Sequence, residues 1–302
     1  MMLSKVPRGG WVALAVLVVG NGAWSSQAAP ARAAKPQGSS SRDVREEALR
    51  AIPYTQLDRN ARIKVGAVLA NTTIFRRLPT ETIECDPKLF LFLIEHPDVV
   101  VNMWEALGVS EVELLRADEL VFDASDKAGT RGRLEYLYHT PQLHLVYADG
   151  TYSGSLMARP VRGRCVLLMR SSYHQSSDGR PLVRCTIDTF LHLENIGASV
   201  LAKTFQPLVT TAADHNFHET AAFLANVHQA AEANFAGMQR LTEKLNKVDE
   251  EDRREFSELT TQLAVRAALA ETQAASAPRP SAPRPSAPRS TATRPAPRMR
   301  KR

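Results

Sequence analysis

A chain of 302 residues, 44% hydrophobic and 23% charged, has ordinary globular composition and room for one large domain with a real core. Its three cysteines, Cys85, Cys165 and Cys185, are too few for a disulfide framework and lack metal-ligand spacing. The net charge of +6 is unevenly spread: with the eight basic residues of 276–302 and the three of 1–33 set aside, residues 34 to 275 carry −5.

The N-terminus reads as an export leader over residues 1–33. Lys5 and Arg8 form a basic start, Trp11 to Trp24 is uncharged and mostly apolar, and Ala31-Arg32-Ala33 or Ser26-Gln27-Ala28 offers a cleavage site. The apolar run is shorter than the roughly 20 residues of a permanent span, which leaves a retained anchor as the alternative. The mature protein is therefore expected in the periplasm, the cell envelope or the extracellular space.

Residues 34–42 read as a linker, and 43–79 as a helical segment with helices at Asp43–Ile52 and Gln56–Phe75. Thr80–Cys85 suits a short strand. Asp86 is placed to cap a helix whose first position is Pro87, and Pro97 ends that helix at His96. A second helix, Pro97 to Leu107, meets a C-cap at Gly108.

From Val112 the period becomes two, giving strands at 112–116, 119–124, 133–139, 142–148, 152–157, 164–173 and 182–194. Turn residues at 126–129, 148–150 and 176–179 separate them, and such short connections make antiparallel meanders. A Ser176–Gly179 turn sets Ser176 opposite Arg180 and aligns Met169, Leu167 and Cys165 with Ile187, Thr189 and Leu191. Arg170, Arg184, Asp188 and His192 then lie on the other side, read as a solvated face. In this register Cys185 faces Ser171, about 20 Å along the strand from the partner of Cys165, so these two cannot bridge.

Helix follows at Gly197–Val209 and, after Asp214, over a long stretch to about Val248. Its stripe of Phe217, Ala221, Leu224, His228, Ala231, Phe235, Met238 and Leu245 alternates threes and fours. Residues 249–275 carry a further amphipathic helix, placed at the rim. Residues 276–302 repeat Ser-Ala-Pro-Arg units and read as an extended, solvated arm.

The order of these elements over about Thr80 to Val248 resembles the helix-grip fold of the START and birch-pollen-allergen superfamily, an α+β architecture in which a curved antiparallel sheet wraps a long C-terminal helix. The stretch from Phe190 through Gly197, Leu208 and Asp214 to Phe217 looks like that superfamily's passage from last strand to gripping helix. The resemblance implies an apolar cavity lined by Tyr136, Tyr138, Leu145, Tyr147, Leu167, Met169, Ile187, Leu191, Phe217, Leu224, His228 and Phe235. It implies a hydrophobic small molecule or lipid as ligand, with no cofactor. It also makes first and last strands neighbours, which leaves a Cys85–Cys185 bridge open. Another α+β fold with segregated helices is the alternative, and the same residues could equally fill a solid core.

Candidate chemistry is sparse. His215 and His218 with Asp214 and Glu219, near His192 and Glu194, read as first-turn and surface groups before they read as a metal site. His228 falls on the apolar stripe, either satisfied in the core or facing a ligand. Gly150-Thr151-Tyr152-Ser153-Gly154 lacks the spacing of a nucleophile elbow, and no acid–base pair stands out. The tail residues Arg279, Arg284, Arg289, Arg294, Arg298, Arg300, Lys301 and Arg302 suit an anionic envelope polymer or membrane surface. Nucleic acid would bind them too, but export separates the chain from it. The expectation is a non-enzymatic, exported binding protein; the alternative is an envelope-associated tethering protein with a solid core.

Overall fold

The computed structural model describes residues 37–154, 159–194, 196–197 and 208–276. The leader, nearly all of the basic tail and residues 198–207 of the helix expected over Gly197–Val209 lie outside the described residues.

Local sequence signals account for most helix boundaries. Ser41 caps α1 (Arg42–Ala51), its side chain accepting from the Val44 amide, and Asp58 caps α2 (Arg59–Ala70) in the same way through Ala61. β1 (Ile74–Arg77) and β2 (Glu81–Glu84) follow. Asp86 accepts from the amides of Lys88 and Leu89 at the start of α3 (Pro87–Glu95), and α4 (Pro97–Ala106) begins directly after His96. The strands β3 (Glu113–Asp118), β4 (Val121–Ser125), β5 (Thr130–Thr140), β6 (Leu143–Tyr152), β7 (Val161–Gln175) and β8 (Pro181–Leu193) form the meander. The C-terminal helices are α5 (Ala213–Ala233), α6 (Phe235–Glu243) and α7 (Glu250–Ser276). No described helix is long and apolar enough to cross a membrane.

The sheet is curved, open, antiparallel and eight-stranded, in the order β1-β8-β7-β6-β5-β4-β3, with β2 beside β1 on the same edge of β8. This is consistent with a helix-grip architecture. The β7–β8 register is the one read from the sequence: Met169, Leu167 and Cys165 face Ile187, Thr189 and Leu191, and Ser171 faces Cys185. Gly179, at φ 84°, makes the turn that fixes it.

Four expectations are corrected. The helix expected over Gln56–Phe75 stops at Ala70, and Ile74–Arg77 instead pairs with Leu191–Asp188 of β8. The segment before Thr80 is thus part of the sheet. The continuous helix to Val248 breaks at Asn234, whose side chain accepts from the Gly237 amide at 3.1 Å and starts α6. Phe235 then lies 43% exposed and leaves the apolar stripe. Residues 250–276 do not sit at the rim: α7 packs along α5, with Phe256 and Thr260 fully buried.

The fourth correction concerns the back of the sheet, which is not simply solvated. Helices α1 and α2 cover much of it, and Val65, Val68, Phe75, Leu145, Val166, Leu168 and Phe190 form a second apolar cluster there. Arg170 and Asp188 lie in this layer, with the Asp188 carboxylate fully buried, whereas Arg184 remains exposed. The larger cluster lies on the inner face, between the sheet and α3 to α7.

Candidate ligand-binding interior

Strand alternation decides which side chains reach the interior. On β5, β6, β7 and β8 the paired residues Tyr136, Val146, Leu167 and Thr189 form one row across the inner face. Met169, two residues along β7, begins the next row beside His144 and Ile187. Helix α3 closes one end: the Tyr136 hydroxyl donates to the Ile94 carbonyl at 2.5 Å, and Phe92 stacks with Phe256 of α7. Trp104 of α4 meets Phe223 of α5 edge-on at 5.8 Å.

Of the residues expected to line a cavity, Tyr136, Leu167, Met169, Ile187, Leu191, Phe217 and Leu224 share the inner cluster, and His228 is buried on the same stripe of α5. Tyr138, Leu145 and Tyr147 do not belong with them; they pack in the outer cluster. The cause at Tyr138 is a bulge between Tyr136 and Tyr138, which turns the two tyrosines to opposite faces. For Leu145 and Tyr147 the cause is two-sided burial. Residues 144–148 are all buried, so no alternation marks the inner set.

Residual exposure is patchy on both faces: Tyr147 and Phe75 of the outer cluster keep 8% and 7%, while Ile187 and Cys165 on the inner face keep none. Leu145, Val166 and Leu168 on the outer side are 0% exposed. On the inner face Val146 keeps 8%, Leu167 6% and Met169 7%, whereas Thr189 keeps 1%, and Tyr136 is only partly buried. These residues sit on central strands beneath a layer of helices, where close packing would leave nothing. Backbone approach agrees: α2 comes close to β7 and β8, whereas the nearest backbone neighbours of α5 are α7 and β2. Space for a water-sized sphere therefore touches the middle of the inner face.

Polar atoms without hydrogen-bond partners accompany that space. Thr189 Oγ1, His144 Nδ1 and His228 Nε2 are all buried and unpaired among the described residues. The nearest carboxylate to His228 Nε2 is Glu232 Oε1, at a long 3.5 Å. An unpaired buried polar atom costs about 1 to 3 kcal/mol, so each needs a compensating partner or purpose. Thr189→Val, nearly isosteric, is expected to raise stability by about 1 kcal/mol in urea denaturation. A loss of that size would mean that ordered water already satisfies the hydroxyl.

A second cluster has the spacing of a metal site but not its chemistry. His96, Asp98 and Asp252 bring donor atoms within 4.8 Å of one another. Arg116 Nη2 already stands among them, 2.9 Å from His96 Nδ1, 3.1 Å from Asp98 and 2.7 Å from Asp252. A guanidinium at that point supplies the positive charge a cation would bring. The cluster joins α4, β3 and α7 as a hub. Asp98 Oδ2 has no partner among the described residues, and burial pushes the Asp98 carboxyl above its usual range.

The histidines read as surface groups stay apart. His218 reaches Glu81 at 3.2 Å, His215 lies 3.8 Å from Glu219, and His192 Nδ1 donates to the Asn71 carbonyl at 2.7 Å. Asp214 pairs with Arg76 and accepts from the Gly38 amide. Cys85, Cys165 and Cys185 are free and buried. Glu81, not Cys85, faces Cys185, which puts Cys85 about 13 Å along the edge and beyond bridging distance. Burial raises all three thiols, Cys185 to about 12.

No family model matches this chain, and no curated protein matches it. Among solved structures it is similar to a conserved protein from Geobacillus kaustophilus, at 10% identity and a TM-score of 0.33, over 48% of this chain and 93% of that one. A putative uncharacterized protein from Rhizobium leguminosarum aligns at 8% identity and a TM-score of 0.28, over 49% and 99% of the two chains. Ara h 8.0201, a Bet v 1-like allergen, aligns at 12% identity and a TM-score of 0.27, over 49% and 99%. At these scores the likenesses assign no activity to this chain.

Proposed function

We propose that this is an exported, non-enzymatic binding protein that holds a lipid-like or other apolar molecule between the inner face of its sheet and α5. One observation carries the reading: Val146, Leu167 and Met169 retain accessible surface beneath the helices while Leu145, Val166 and Leu168 on the opposite face retain none. Apolar side chains around residual space, with few polar atoms, are the ordinary makeup of a small-molecule pocket. The leader read in residues 1–33 supports placement outside the cytoplasm.

Two adjacent residues of β7 test the reading. Leu167→Phe is expected to cost under about 1 kcal/mol, because the added ring enters space. Leu168→Phe, forced into the sealed outer layer, should cost about 2 kcal/mol. Native mass spectrometry with solvent extraction should find a reproducible apolar adduct on the purified protein, diminished in Leu167→Phe. Equal costs for the two substitutions, together with no adduct, would mean a solid interior.

The tail favours a second role alongside the first. Eight basic residues with no acid over residues 276–302 suit an anionic envelope polymer or membrane surface, at about 1 kcal/mol per residue near anionic lipid. The expected result is binding to phosphatidylserine vesicles that falls with salt and disappears when 276–302 are deleted. Binding that survives the deletion would move the contact to the folded body.

A further inference from the structure

His144 has an unusual position for a titratable side chain. It lies on β6 with 0% exposure, faces the inner cluster, and pairs in register with Met169. Its Nε2 is 3.3 Å from Glu95 Oε1 at the end of α3, and its ring meets that of Tyr136 edge-on. A carboxylate can only accept, so the Nε2 nitrogen carries the proton toward Glu95. Burial holds the imidazole below its usual pKa, outweighing the pull of Glu95, and the ring is neutral at pH 7. Its other nitrogen, Nδ1, is then a bare acceptor, and it has no partner among the described residues.

Resting on the binding reading above, we infer that the ligand is an apolar molecule bearing a hydroxyl or similar hydrogen-bond donor, which donates to His144 Nδ1. Glu95 acts as a positioning residue, because it fixes the tautomer that leaves Nδ1 free to accept. Met169 lies across from His144 and at the edge of the accessible space. Its unbranched chain can swing aside and admit the donor to a nitrogen that is otherwise sealed. A hydrocarbon without a donor would enter the same space and leave Nδ1 unpaired, which is the kind of difference that gives a polar pocket its selectivity.

The test uses a matched pair of probes, naphthalene and 2-naphthol, on the full-length protein. Naphthalene is the more apolar, so a site without polar recognition prefers it. The inference expects 2-naphthol to bind about five- to tenfold more tightly, the worth of one net hydrogen bond. His144→Phe should erase that preference, read as the ratio of the two affinities, so that 2-naphthol binds no more tightly than naphthalene. In the unsubstituted protein, the 15N signal of His144 Nδ1 should shift on adding 2-naphthol and stay put with naphthalene, a readout that survives if His144→Phe does not fold. Equal or weaker binding of 2-naphthol, or an unmoved Nδ1 signal with 2-naphthol bound, overturns the inference and leaves the apolar pocket standing. Binding of neither probe overturns the pocket, and this inference with it.

Discussion

Phe190→Ala should destabilise the protein by about 4 kcal/mol, the usual range for deleting a buried ring, and lower Tm by on the order of 10 °C. Phe190 is fully buried on β8 and pairs with Phe75 of β1 on one side and Val166 of β7 on the other. Its ring lies 5.0 Å from that of Phe75, and both belong to the cluster beneath α1 and α2. The truncation therefore loosens the cover and the edge strand together. Hydrogen exchange should quicken across α1, α2 and β1 and change little in α5. A cost below about 1.5 kcal/mol would mean that the outer layer collapses onto the gap, as a loosely attached appendage could. The full cost would establish the first helices as half of the packing on the sheet.

That outer layer is also what the sequence concealed. The β7–β8 hairpin was legible because one side of each strand reads apolar and Gly179 supplies the positive φ its turn demands. Asp86 and Pro87 likewise announced α3 through local capping chemistry. Helices on both faces removed the alternation from β6, where His144 to Ala148 are buried without interruption, so inner and outer sets could not be separated there. The bulge before Tyr138 left no mark in the sequence, because every residue around it is compatible with a regular strand. At Asn234 the helical period continued through a real break, since Met238 and Leu245 remain buried after it. The interior itself was half legible. Thr189 and Leu167 could be placed by counting out from the turn, whereas Val146 and His144 could be placed only through the neighbouring strand.

Asp188→Ala should cost about 3 kcal/mol, the low end of what removing one partner from a buried ion pair costs. Asp188 is 0% exposed and accepts from Arg77 Nε at 2.6 Å, Arg77 Nη2 at 3.0 Å and Arg170 Nη2 at 2.9 Å. Glu47 of α1 caps the group, accepting from Arg77 at 2.9 Å and Arg170 at 3.2 Å. Without Asp188, two guanidinium groups share one half-exposed carboxylate, and the remaining charge strains the docking of α1. Water reaching Arg170 limits the penalty. Replacing Asp188, Arg77 and Arg170 together by Val, Met and Met should recover most of the loss, because apolar substitutes avoid the desolvation that the ion pairs offset. The pH dependence has a definite sign. Hydrogen bonds from Arg77 and then Arg170 hold the Glu47 carboxyl below its usual value, so its contribution is present above the unfolded-state pKa and lost as pH falls through the folded one. Urea denaturation from pH 7 down to pH 3 should show this acid loss, and it should shrink in Arg77→Met. If Asp188→Ala costs less than about 1 kcal/mol, the cluster is wetted, and apolar packing alone holds α1 to the sheet.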